Sequence, residues 1–187
     1  VGSALKNIGP SQLLDTLPLY IPSPQEVQPP RAVNPTSHGE VKLEPSASAP
    51  LAALVFKTSA DPYVGKLTYF RVYSGTLSSN SSVWNASKNS AERIGQLYVL
   101  RGKTQEAVSQ LVAGDIGAVA KLSVTGSGDS LSSREQPVAL PPIPFPSPVL
   151  SLAVYPKSKA DMDKMGTSLK RLLEEDPTLQ LRTEHVT

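Results

Sequence analysis

The chain has 187 residues, of which 39% are hydrophobic and 18% charged, with 18 prolines, no cysteine and a formal net charge of +2. That composition is too apolar for a disordered protein and leaves room for one or two domains joined by proline-stiffened connections. Lack of thiols excludes disulfides, iron–sulfur ligation, thiolate zinc sites and cysteine nucleophiles, and the small net charge requires any nucleic-acid contact to come from local clusters of cations.

Residues 3–20 should contain a short amphipathic helix, because Leu13, Leu14 and Leu17 share one face and Gly9-Pro10-Ser11 supplies a start signal. The stretch 21–49 is a proline-rich linker and loop: Pro22, Pro24, Pro29, Pro30 and Pro35 forbid helix or central strand over 21–35, and 36–49 has room only for an edge strand. From residue 50 the pattern changes to strands. Leu51 to Phe56 is an almost continuous apolar run, and Leu67 to Tyr73 is β-branched and aromatic. Ser82 to Ala86, Arg93 to Leu100 and Ile116 to Val124 follow, each bounded by Gly, Asn, Ser or Asp. Short strands at that spacing predict a small closed barrel or a sandwich over 50–131, with no helix inside it.

A second proline-rich linker covers 132–148. Over 149–187 a strand (Val149 to Tyr155), a helix and a second strand (Thr178 to Thr183) predict a β-α-β unit. Ser158 is the expected N-cap, Asp161 lies near the positive helix end, and Met162, Met165, Leu169, Leu172 and Leu173 form the apolar stripe. A β-α-β unit leaves its sheet short of partners, so both ends of the chain read as cut. No apolar stretch approaches the ~20 residues of a membrane span, and a soluble, cytoplasmic protein with no membrane partner is the expectation.

Several ordered motifs resemble elongation factor G of the translational GTPases. Gly2-Ser3-Ala4-Leu5-Lys6-Asn7 is similar to the fifth guanine-nucleotide motif of that family. Asp61 to Leu67, Arg71 to Leu77, Ala113 to Ala118 and Gly128 to Leu131 are similar to its second domain. Pro156 to Asp161 and Glu174 to Thr178 look like the start of its third. The loop Arg101 to Glu106 departs from the family's His-Ala-Asn type pattern, which raises the prospect of a paralogue. The resemblance implies a mainly β chain. Residues 1–20 would hold the C-terminal helix of the GTPase domain, and 50–131 a Greek-key-type translation-protein barrel. An incomplete ferredoxin-like α+β unit would occupy 149–187.

It further implies a ribosome-docking and interdomain-coupling fragment of a GTP-dependent factor that promotes translocation. Its partners would be small-subunit ribosomal RNA and the missing GTPase and tip domains. GTP or GDP and Mg2+ would belong to the parent protein, with no cofactor in this fragment. Ser3, Ala4 and Leu5 would be a remnant of guanine recognition. A tetracycline-resistance protection protein is the near alternative, and an unrelated β-barrel ligand-binding domain the distant one.

Read on their own terms, the residues give no enzyme. A phosphate loop needs Gly-x-x-x-x-Gly-Lys-Ser/Thr so that backbone amides and a lysine face the phosphates. Gly65-Lys66 and Gly102-Lys103 have Ala60 and Leu97 where the leading glycine belongs. Asp163 to Gly166 matches Asp-x-x-Gly only within an amphipathic helix, where a solvated face is the simpler account. His38 and His185 have no nucleophile or metal-ligand constellation around them and read as surface residues. In the barrel segment eight lysines and arginines stand against five acids. Composition alone makes these solubilising charge, but the resemblance turns Arg101, Lys103 and Gln105 on one loop into candidates for RNA contact, with Lys66 and Arg71 weaker ones. Tyr63, Tyr69, Tyr73 and Trp84 are able to stack on bases, although packing at the barrel core or rim is the simpler role.

Overall fold

The computed structural model describes residues 1–61 and 65–182. Helix α1 (Pro10–Tyr20) begins with its proline in the first turn, where the missing N–H costs no hydrogen bond. The minimal strands β1 (Ala32–Val33) and β2 (Glu40–Val41) pair with one another. Ten strands follow: β3 (Ala52–Asp61), β4 (Gly65–Ser74), β5 (Thr76–Ser78), β6 (Ser82–Asn85), β7 (Ser90–Arg93), β8 (Leu97–Arg101), β9 (Thr104–Val108), β10 (Gln110–Val112), β11 (Ile116–Ala120) and β12 (Ser130–Ser132). Helix α2 (Met162–Glu175) closes the series after a 3-10 turn at Lys159–Asp161.

Eight strands form one antiparallel sheet in the order β7-β6-β12-β3-β4-β11-β8-β9, and β5 pairs with β10 in a separate ribbon. The sheet curls until its two ends share an interior. Val83 and Ile94 from one end and Leu97 from the other lie in one buried cluster with Val55, Phe70, Val72, Val119 and Leu131, and the ribbon adds Leu77 and Leu111. Side-chain bonds knit the same seam: Leu97 N–H donates to Ser79 Oγ at 3.0 Å, and the Ser79 hydroxyl donates to the Val108 carbonyl at 2.8 Å, tying β8 and β9 to the segment before β6. The result is barrel-like, as the strand spacing predicts. Each apolar side chain of this interior is worth about 1.5–3 kcal/mol of burial.

Two glycines permit the closure. Gly75, between β4 and β5, has φ +77°, and a Cβ there would lie 2.6 Å from the Ala49 carbonyl and 2.7 Å from Leu51 backbone atoms. Gly117 lets Leu111 of the ribbon approach to where a Cβ would sit, 2.2 Å away.

The proline-rich segments do more than connect. Val33 and Ala139 exchange backbone hydrogen bonds of 2.9 and 2.8 Å, which joins residues read as two separate linkers. Around that bridge Ala32, Leu43, Ala52, Val138 and Leu140 form a second core, against which Leu54 and Tyr73 pack from the outer side of the barrel. Pro35 and Pro137 remain outside the paired positions, which is why so proline-rich a sequence tolerates the pairing.

Four local expectations are corrected. The strand expected over Arg93 to Leu100 is two strands, because Ile94-Gly95-Gln96 turns the chain from β7 to β8. The strand expected over Val149 to Tyr155 is absent, and Val149, Leu150, Leu152 and Tyr155 are at least 75% exposed. A strand needs a neighbour for its backbone groups, and none of the described residues pairs there. Residues 178–182 likewise form no strand, and the rest of that expected strand, with His185, lies outside the described residues, as does Tyr63. Ser158 caps only the 3-10 turn, its hydroxyl bonding the Asp161 carboxylate at 2.6 Å and not a backbone amide.

Candidate nucleic-acid interface

The exposed cations of the barrel are distributed by strand register. Strands β8 and β9 pair from Leu97↔Val108 to Arg101↔Thr104, leaving Gly102 and Lys103 as a two-residue hairpin turn. Gly102 has φ +60°, the left-handed geometry such turns require. The turn points Lys103 into solvent, while the Arg101 Nε lies 3.4 Å from the Glu106 carboxylate with side chains 76% and 54% exposed. An ion pair so open to water holds the arginine loosely and leaves it available. Gln105 is half-buried beside it. Because β9 has only β8 as a partner in the sheet, this hairpin is an edge. Arg101, Lys103 and Gln105, grouped from the sequence, are thus together on one projecting element.

Lys66 and Arg71 are elsewhere. Following the pairs Tyr98↔Ala118 and Ala118↔Tyr69 across the sheet puts Lys66 at the end opposite the hairpin tip. There Lys66 lines a cleft of about 440 Å³ with Arg171, Glu174 and Glu175 of α2, beside the docked helix and away from the hairpin. Arg71 is on the outer side of β4, half-buried, with its guanidinium 5.3 Å from the Tyr73 ring and its Nε without a hydrogen-bond partner. Tyr73 itself is packed against the second core. Arg71 is therefore partly walled in, although it lies toward the hairpin end of β4.

Ser3, Ala4 and Leu5 form a tight loop. Ser3 and Ile8 exchange backbone hydrogen bonds of 2.9 and 3.0 Å, and Ser3 Oγ accepts from the Lys6 amide at 3.3 Å. Ala4 and Leu5 are left exposed at its apex. His38 is an exposed loop residue at φ +57°.

A polar lattice holds the loop after β11, and sequence reasoning missed it. Glu92, 4% exposed, accepts hydrogen bonds from the Ser123 amide (3.2 Å) and hydroxyl (2.7 Å) and from the Val124 and Thr125 amides (both 3.3 Å). Burial alone would raise its pKa, but hydrogen bonds from Ser123, Thr125 and Val124 outweigh that and hold the carboxyl below its usual range. Asp129 accepts from Asn85 (3.0 Å) and the Gly126 amide (2.9 Å) and pairs with Lys88 at 3.0 Å, and Lys88 also donates to the Val124 carbonyl. Lys88 is thereby committed to the fold. The lattice's sequence signal was faint, an acid directly before the strand expected from Arg93.

Helix α2 meets the far end of β3. The Thr58 hydroxyl donates to the Glu174 carbonyl and the Ala60 amide to the Glu175 carboxylate. The end of α2 thereby covers part of a strand edge that β12 leaves unpaired beyond Leu54.

This arrangement, a curled antiparallel barrel followed by a helical segment docked on its β3–β4 hairpin, is that of a translation-factor barrel with its succeeding domain. Residues 50–134 match the family described as elongation factor G domain 2, and residues 145–187 match elongation factor G, domain III. The chain belongs to the elongation factor G family of translation. It is also similar to the crystal structure of a protein from Thermus thermophilus, with 30% sequence identity and a TM-score of 0.73. That similarity covers 95% of this chain and 24% of the Thermus protein, so the chain spans about a quarter of its length. Among the described residues no helix is long and apolar enough to cross a membrane.

Proposed function

We propose that this chain is the ribosome-docking and interdomain-coupling part of a GTP-dependent elongation factor that promotes translocation, and that it grips small-subunit ribosomal RNA through the β8–β9 hairpin. The observation that carries this reading is the hairpin itself: Arg101 and Lys103 project from a sheet edge with water on their charged groups, next to Gln105. Cations so placed neutralise backbone phosphates and release condensed counterions, which is a large part of any RNA affinity. The α2–β3 contact supports the coupling role, since a shift of the third domain would act directly on the β3–β4 hairpin.

The chain itself carries no reaction on this reading. The parent protein would bind GTP or GDP with Mg2+ and hydrolyse the triphosphate, and the exposed Ala4–Leu5 apex would present backbone groups to the guanine ring. The partners are then the ribosome and the other domains of the same protein, in the cytoplasm.

Gel-shift titration against small-subunit ribosomal RNA tests the hairpin. Arg101→Glu and Lys103→Glu should each weaken binding about tenfold or more, since each reverses a charge against phosphate. Binding that is unchanged in the double variant would remove the hairpin from the interface.

A further inference from the structure

Trp84 is the sole tryptophan of the chain and belongs to neither hydrophobic core. The reason is strand alternation. In β6, Val83 and Asn85 point inward, Val83 into the main core and Asn85 into the polar lattice with Thr125 and Asp129, so Trp84 points outward. Its cross-strand neighbours are Ala91 on β7 and Ser132 on β12, two small residues, and the indole is half-buried on this outer face.

Two arginines share this outer face with the ring. Arg134, an exposed residue, holds its guanidinium 5.3 Å from the ring centroid. Arg93 is on the same outer face, because it pairs with Ser82, one same-face position along β6 from Trp84, and its inward neighbour Glu92 is buried. Among the described residues neither arginine has a carboxylate within ion-pair distance. The acid nearest to Arg134 in sequence is the exposed Glu135, and Glu92 is turned inward and occupied by the Ser123–Thr125 backbone. A half-buried indole with one guanidinium against it and a second on the same face, neither in an ion pair among the described residues, matches a nucleotide in both of its parts. The base stacks on the ring or on a guanidinium plane, and the phosphates meet the cations.

We propose that Trp84, with Arg93 and Arg134, forms a second RNA contact that takes an unpaired nucleotide by stacking. This rests on the reading that the barrel docks on RNA, but it assigns a different place and a different chemistry from the hairpin. The hairpin is on edge strand β9, whereas Trp84 borders the other edge strand, β7. The hairpin meets backbone phosphates, and Trp84 meets a base.

The test uses the full chain and a single-stranded oligoadenylate of about twelve nucleotides, within the range of roughly 4–16 that such platforms cover. The fluorescence of Trp84 reports directly from the site. Quenching that saturates together with binding is expected, and by anisotropy of a labelled oligonucleotide Trp84→Ala and Arg134→Ala should each bind about tenfold more weakly, with Trp84→Phe retaining most of the affinity. Thermal unfolding of the same variants separates a lost contact from a lost fold. Binding with unchanged Trp84 emission, or folded Trp84→Ala and Arg134→Ala variants that bind like the parent chain, would overturn the proposal. If Lys103→Glu alone then abolishes binding to ribosomal RNA, the hairpin reading stands and this one falls. Quenching by oligoadenylate with an inert hairpin gives the converse, and failure to bind any RNA overturns both.

Discussion

Glu92 shows at the scale of one side chain how this barrel responds to acid. Its carboxyl is held below the ordinary range of about 4.3 by hydrogen bonds from the Ser123–Thr125 segment, against the pull of burial. A group with a lowered folded-state pKa adds stability that is fully present above its unfolded value and is lost as pH falls through the folded value. The unfolding free energy should therefore be flat from pH 7 to about pH 5 and fall below about pH 4. Glu92→Gln should be destabilised at neutral pH and show a shallower acid slope, both readable from urea titrations across that range. Gly75 offers a second residue-scale outcome. Its φ of +77° and the backbone of Ala49 and Leu51 within 2.7 Å of a Cβ make Gly75→Ala strained as well as crowded. A loss of ~1–3 kcal/mol in chemical denaturation is expected.

Among elements, the longer barrel strands were legible because period-two alternation and Gly or Asn punctuation are local signals, whereas the short β5, β9, β10 and β12 were not read. Leu67 to Tyr73 lies wholly within β4, which extends from Gly65 to Ser74. Gly95 inside an apolar run was the clue that Arg93 to Leu100 divides, and the run outweighed it. The second core was hidden because Ala32 and Val138 become partners only through a contact spanning more than a hundred positions, and proline content masks such pairing. Conversely, Val149 to Tyr155 has the composition of a strand without a neighbour to pair with, and Leu13, Leu14 and Leu17 form an apolar helix face that is 40–64% exposed. Of the candidate interface, the closeness of Arg101, Lys103 and Gln105 was legible from their spacing, while their candidacy came from the resemblance to elongation factor G. The placement of Lys66 in a cleft beside α2 was not legible, because it depends on where α2 docks. If the second core is a working part of the fold, Leu140→Ala should cost ~2–4 kcal/mol. Hydrogen exchange at Val33 and Ala139 should speed up before that of Phe70 in the main core.

For the whole molecule, a net charge of only +2 makes placement matter more than amount. The fold commits Lys88 to an internal lattice, places Lys66 in the cleft beside α2 and stacks Arg71 on Tyr73, while the β8–β9 edge keeps Arg101 and Lys103 outward. RNA affinity should then depend on a few positions and respond steeply to salt. The slope of log affinity against log salt for small-subunit ribosomal RNA measures this most directly, because each phosphate contact contributes about −0.9 for a duplex. Lys103→Ala should make the slope shallower by about one, and Lys66→Ala should leave it unchanged. An unaltered slope in Lys103→Ala, or a larger change in Lys66→Ala, would contradict the account.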